Sequence, residues 1–144
     1  MIKEPRILLI EDNQGDAELT REVFKNHAAN TQMHVLNNGE EALQSLKQKG
    51  EFENELRPHL ILLDINLPKV DGKEVLRFIK NDDELKCIPV VIFSTSSLEE
   101  DINYAYRHHA NCYMVKPANL KDFNLTIKAI YNFWINSVTY PNKN

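Results

Sequence analysis

The chain has 144 residues, of which 42% are apolar and 26% charged, with a net charge of -4. That length suits one domain with a core of its own, and an acidic, evenly mixed surface argues against non-specific binding to nucleic acid or anionic membrane. No apolar run approaches membrane-spanning length, and residues 1–5 lack the apolar stretch of a signal peptide, so a cytoplasmic location is expected.

Residues 6–10 (Arg-Ile-Leu-Leu-Ile) are a short apolar run ending in two acids, Glu11 and Asp12, which predicts a buried first strand. A turn at 13–16 leads into a predicted helix over 17–27 with Leu19, Val23 and Phe24 inward. Residues 32–36 predict a second strand, Asn37-Asn38-Gly39 breaks it, and 40–47 predict a helix burying Ala42, Leu43 and Leu46. Residues 47–58 are polar and lack a period, which predicts an exposed loop or an extension of the preceding helix. Residues 59–64 (His-Leu-Ile-Leu-Leu-Asp) predict a third strand buried on both faces, and Pro68 with Asp71-Gly72 stops it.

Val75, Leu76 and Ile79 give 73–80 a helical spacing, and 81–83 reads as loop. Residues 89–93 predict a fourth strand, ending in the hydroxyl cluster Ser94-Thr95-Ser96-Ser97. Ser97 to Glu100 has capping-box spacing for a helix with Ile102, Ala105 and Tyr106 inside. A fifth strand, 112–115, ends at Lys116-Pro117. The last helix runs from 120 to about 135 with Phe123, Ile127, Ile130 and Trp134 on one face, leaving Leu125, Tyr131 and Phe133 elsewhere. Residues 136–144 read as a polar tail exposing Val138 and Tyr140. Cys87 and Cys112 have no motif spacing and read as small buried hydrophobes of a reducing compartment.

Five strands alternating with five helices call for an α/β fold, a doubly wound parallel sheet with helices on both faces. The domain is expected over 1–135, with 136–144 as a C-terminal tail. Ligands of such sheets sit beyond the carboxyl ends of the strands. Those ends bring Glu11, Asp12, Asp64, Ser94 and Lys116 to one rim. Three carboxylates this close raise one another's pKa unless a cation neutralises them, and hard oxygen ligands in an open cage suit Mg²⁺. Lys116 supplies a cation for phosphate oxygens, and Ser94 supplies a hydroxyl donor. Around a protruding carboxylate, this set describes phosphoryl transfer to Asp64.

The ordered set resembles the response-regulator receiver domains of two-component signalling, over roughly residues 5–135. Glu11-Asp12, Asp64, Leu67-Pro68, Asp71-Gly72, Ser94 and Lys116-Pro117 carry the resemblance, and only the Asp12–Asp64 interval is long, by an insertion within 47–58. The resemblance implies a flavodoxin-like strand order, 2-1-3-4-5. It implies a stand-alone regulator in which Asp64 takes phosphate from a sensor histidine kinase. Glu11, Asp12, Asp64 and the Asn66 backbone carbonyl would hold Mg²⁺, Ser94 and Lys116 would bind phosphoryl oxygens, and Tyr113 with Ser94 would form the switch. It further implies a cis peptide at Lys116-Pro117. Glu at position 11, where Asp is commoner, and Ser at 94, where Thr is commoner, depart from the pattern. The insertion, the Ser-Thr-Ser-Ser run, Ala110-Asn111-Cys112-Tyr113 and the aromatic last helix are most similar to small regulators serving bacterial phytochrome-type kinases, which tend to dimerise.

Singly, each of these residues has a plainer reading. Acids at strand ends are common turn formers, Ser97 reads as an N-cap, and Tyr113 fits a switch or an ordinary half-buried aromatic equally. His27, His34, His59, His108 and His109 form no ligand spacing. The last helix and tail suit either a dimer or partner surface or packing within the chain. The rival enzyme reading is a metal-dependent phosphatase-like hydrolase with Asp64 as nucleophile, which would want an acid–base carboxylate where Asn66 stands. A flavodoxin-like cofactor binder fits the fold but not the acid-lined rim. A partner of the DNA-binding kind lacks a basic stripe.

Overall fold

Apolar residues on both faces mark the central strands of this chain, and they pair side by side. In the computed structural model, which describes residues 3–141, β1 (Arg6–Ile10) and β3 (Leu60–Leu63) lie together in parallel. β2 (Gln32–Leu36) pairs with the outer edge of β1, while β4 (Val90–Ser94) and β5 (Cys112–Val115) follow beyond β3. The sheet is therefore five-stranded in the order β2-β1-β3-β4-β5, as expected.

Alternate strand residues face opposite layers. Ile7, Leu9, Leu60, Leu62, Val91 and Phe93 pack with α1 (Gln14–His27) and α5 (Leu120–Tyr131). Leu8, Ile10, Ile61, Leu63, Val90 and Ile92 pack with α2 (Gly39–Leu46), α3 (Gly72–Asn81) and α4 (Glu99–Arg107). Four helices start on side-chain caps, with Asn13, Asn38, Asp71 and Asn119 accepting from the backbone N–H of Asp16, Glu41, Lys73 and Asp122.

The capping box expected at Ser97 does not form. Leu98 takes the cap position with no side-chain bond, and Ser97 is exposed. The inner face of α4 is also not the one expected. Asp101 and Ala105 are buried, Ile102 is half-buried and Tyr106 is exposed. A buried carboxylate is tolerated there because Lys73 Nζ lies 2.6 Å from one oxygen and the Ser96 hydroxyl donates to the other. In α1, Ala17, Thr20 and Phe24 form the buried stripe, with Leu19 and Val23 half-buried beside it.

The segment 47–58 is not simply an exposed loop. A short 3-10 turn, Gly50–Phe52, drives Phe52 into the α2–α3 layer. Glu55 then accepts from the Ser45 hydroxyl at 2.8 Å and pairs with His34 Nδ1 at 3.1 Å. Cys87 is exposed and Cys112 half-buried, so burial of the pair is not found.

The C-terminal face is rearranged too. α5 passes into a π-helical turn, Asn132–Ser137, which buries Tyr131 and Ile135 and leaves Trp134 half-buried. The Tyr131 hydroxyl donates to the His27 carbonyl at 3.0 Å, and its ring meets Phe24 edge-on. The tail folds back rather than exposing Tyr140, whose hydroxyl donates to the Trp134 carbonyl at 2.6 Å. Burial raises the Tyr140 pKa above the ordinary tyrosine value. Residues 1–2 of the expected domain and 142–144 of the tail lie outside the described residues. No helix among the described residues is long and apolar enough to cross a membrane.

One glycine fixes where the site sits. The Gly72 N–H donates to the Ile65 carbonyl at 2.9 Å, and a Cβ at Gly72 would stand 2.2 Å from the Asp64 carbonyl oxygen and 2.7 Å from Ile65 Cα. Gly72→Ala should therefore cost about 1–3 kcal/mol in urea unfolding through backbone overpacking. A variant as stable as wild type would contradict this packing.

Candidate functional site

The parallel register sets the strand ends level. Ile10 stands beside Leu63, Leu63 beside Ile92, and Ser94 beside Val115. Glu11, Asp64 and Lys116 follow those ends directly, and backbone bonds prolong the pairing by one residue. The Glu11 N–H donates to Leu36 O (2.9 Å), the Asp64 N–H to Ile10 O (3.1 Å) and the Lys116 N–H to Ser94 O (2.7 Å). Glu11, Asp64, Ser94 and Lys116 are all buried, while Asp12 and Asn66 are exposed.

Lys116 is the centre of this rim. Its ammonium lies 2.5 Å from Glu11 Oε1, 2.9 Å from Asp16 Oδ2 and 3.0 Å from Asp64 Oδ2, with its side chain only 3% exposed. The other Asp64 oxygen accepts from the Asn66 N–H at 3.0 Å, and the second Glu11 oxygen accepts from the Asn13 N–H at 3.2 Å. Burial pushes the Glu11 carboxyl up to about 7, the charge of Asp64 adding to the rise and Lys116 opposing it. Burial alone would lower Lys116, but the hydrogen bond it donates to Glu11 and the further pairing with Asp16 and Asp64 hold it above the ordinary lysine value.

Carboxylate oxygens of Glu11, Asp12 and Asp64 lie within 4.8 Å of one another, with Glu11 and Asp64 on the buried rim and Asp12 toward solvent. Hard oxygen donors in an open arrangement are the donor set of Mg²⁺, which keeps several waters. The residues present therefore fit such an ion.

Asp16 was not among the residues singled out in the sequence. It sits one helical turn beyond Asp12 in the first turn of α1, where its side chain turns back to Lys116. The cis peptide expected before Pro117 is absent, as no cis bond occurs among the described residues. Trans is the lower-energy form of an X–Pro bond, and Lys116 reaches its three acids from it.

Ser94 Oγ accepts from the Ser96 N–H at 3.3 Å. Tyr113 is half-buried against the α3–α4 layer, and its hydroxyl donates to the Ser96 carbonyl at 2.8 Å. Burial pushes the Tyr113 hydroxyl up, an effect its hydrogen bonding to Ser96 opposes. Ser94 and Tyr113 are thus joined through one residue of the loop between β4 and α4.

Known proteins resemble this chain in sequence and fold. The family described as response regulator receiver domain matches residues 7–128. The response regulator Rcp1 of Synechocystis sp. is 47% identical over 135 residues, covering 94% of this chain and 92% of that protein. Among solved structures, the phosphorylated cyanobacterial phytochrome response regulator RcpA superposes with a TM-score of 0.94 at 45% identity, over 96% of this chain and 99% of that one. The Mn²⁺-bound form of Rcp1 gives a TM-score of 0.93 at 46% identity, with the same shares covered.

Removing the ammonium leaves buried carboxylates facing one another. Lys116→Met should lose roughly 3–5 kcal/mol of stability without added metal, the cost of stripping one partner from a buried pair. Millimolar Mg²⁺ should restore part of that loss, measured as the melting temperature. A variant as stable as wild type, or one indifferent to Mg²⁺, would contradict the charge arrangement.

Proposed function

Because the chain belongs to the response-regulator receiver family, we propose that it accepts a phosphoryl group on Asp64 from the phosphohistidine of a sensor histidine kinase. One Asp64 carboxylate oxygen attacks phosphorus, the P–N bond breaks, and the imidazole leaves with the electron pair. Lys116 and the Ser94 hydroxyl receive the phosphoryl oxygens. Glu11, Asp12, Asp64 and the Asn66 backbone carbonyl would hold Mg²⁺, which would supply charge neutralisation for the transfer. The observation that carries this reading is the Lys116 ammonium 3.0 Å from Asp64 Oδ2, with two further acids around it.

The product adds roughly two negative charges to an already acidic rim. Lys116 and Ser94 absorb them, and movement of Ser94 is passed through the loop to Tyr113 and the surface of α4, β5 and α5. The protein is a switch and not a turnover enzyme, losing phosphate only by slow self-dephosphorylation. A phosphatase-like hydrolase would need an acid–base carboxylate where the exposed Asn66 stands.

The kinship with Rcp1 and RcpA supports a cytoplasmic role downstream of a phytochrome-type kinase. Leu125 and Phe133, 56% and 55% exposed, support a homodimer through the last helix and its end.

Phosphotransfer from a panel of histidine kinases tests the reading. Wild type should be labelled only with Mg²⁺ present, Asp64→Asn should not be labelled, and small phosphate esters should show no turnover. Labelling of Asp64→Asn, or metal-independent labelling of wild type, would overturn it. Sedimentation of the same samples should show a dimer that Phe133→Asp dissociates, and a monomer throughout would remove the dimer.

A further inference from the structure

Three polar atoms of Ser96 are spoken for, and each leads to a different element. Its N–H donates to Ser94 Oγ at 3.3 Å, its carbonyl accepts the Tyr113 hydroxyl at 2.8 Å, and its own hydroxyl donates to Asp101 Oδ2 at 2.5 Å. Asp101 is buried, and its other oxygen is held by Lys73 Nζ at 2.6 Å. Lys73 also lies over the Tyr104 ring, 5.3 Å from its centroid, and the Tyr104 hydroxyl donates to the Lys73 carbonyl at 3.3 Å. Lys73 follows Gly72 directly, whose backbone is locked against Asp64 and Ile65. An ion pair thus runs from the helix start behind Asp64, through α4, to the loop that joins Ser94 and Tyr113.

We propose that Lys73 and Asp101, acting through Ser96, form a latch that holds Tyr113 in its inward position and so sets the balance of the switch. The proposal rests on the reading of Ser94 and Tyr113 as the switch and adds two positioning residues that touch neither Asp64 nor the phosphoryl group. Asp101 fixes the Ser96 hydroxyl, and Lys73 fixes Asp101. With Ser96 anchored, its carbonyl stays where the Tyr113 hydroxyl finds it, and its N–H stays aimed at Ser94. Release of the pair frees the loop, and the Tyr113 ring loses its acceptor. A second consequence is that the face made by α4 and β5 is coupled to α3 by charge, which links the acceptor strand and the output surface along a path that does not pass through Lys116.

The test uses the full chain labelled with 3-fluorotyrosine, with the Tyr113 resonance assigned by Tyr113→Phe and read by ¹⁹F NMR. Asp101→Asn and Lys73→Met should each move the Tyr113 resonance toward its solvent-exposed position. The inward-to-outward ratio should fall about five-fold, the scale of one partly exposed charge-assisted pair. Lys73→Arg should restore it, and Ser96→Ala should reproduce the loss without altering charge. Tyr131 and Tyr140, on the opposite layer and the tail, should keep their resonances. A Tyr113 resonance unmoved in Asp101→Asn and in Ser96→Ala, in protein that still takes phosphate on Asp64, overturns the latch and leaves the receiver reading intact. Absence of phosphate on Asp64 in wild type overturns the receiver reading instead, and the Tyr113 resonance of unphosphorylated protein still decides the latch.

Discussion

A single ammonium shared among three carboxylates is the constraint on which this structure turns. Lys116 faces Glu11, Asp16 and Asp64 at 2.5–3.0 Å, in a place almost closed to water. Ions are costly to bury and stay ionised only when paired. Here the pairing is incomplete, since one positive charge meets three negative ones. Glu11 is lifted to about 7 chiefly by burial, and the neighbouring charge of Asp64 adds to the rise. A site in this condition favours a further cation at its open side, where Asp12 is exposed.

The fold serves this arrangement by levelling the strand ends. Parallel pairing in the order β2-β1-β3-β4-β5 brings β1, β3, β4 and β5 to one rim in register, so residues distant in sequence become neighbours. Gly72 then presses the start of α3 against the Asp64 backbone, and the loop after β4 joins Ser94 to Tyr113 through Ser96. Asp64 is thus mounted rigidly at the end of a central strand, with a bonded loop beside it.

Much of this was legible in the amino-acid order, for a physical reason. β1, β3 and β4 are apolar on both faces, which only central strands of a covered parallel sheet can afford, and each ends in a residue that has no place in a core. What escaped was set by contacts between distant residues. Asp16 reads as a turn acid until α1 winds it back to Lys116. Phe52 shares a polar stretch with one other large apolar residue, Leu56, too little for a periodic signal. Asp101 sits on the inner face of α4, a place that hydropathy assigns to an aliphatic residue, because Lys73 from another helix neutralises it. The last helix misleads in another way. A 3.6-residue period extrapolated from Phe123, Ile127 and Ile130 reaches Trp134, whereas the π-helical turn delays the burial to Ile135 and brings Tyr131 inward.

The most direct measurement of the central claim is the ¹⁵N signal of the Lys116 side-chain ammonium followed through a Mg²⁺ titration. The expected result is a saturable shift of that signal, as the ion draws Glu11 and Asp64 away from the lysine, with no shift in Asp12→Asn at the same metal concentrations. A Lys116 signal that stays fixed while Mg²⁺ binds elsewhere would contradict the shared-charge site.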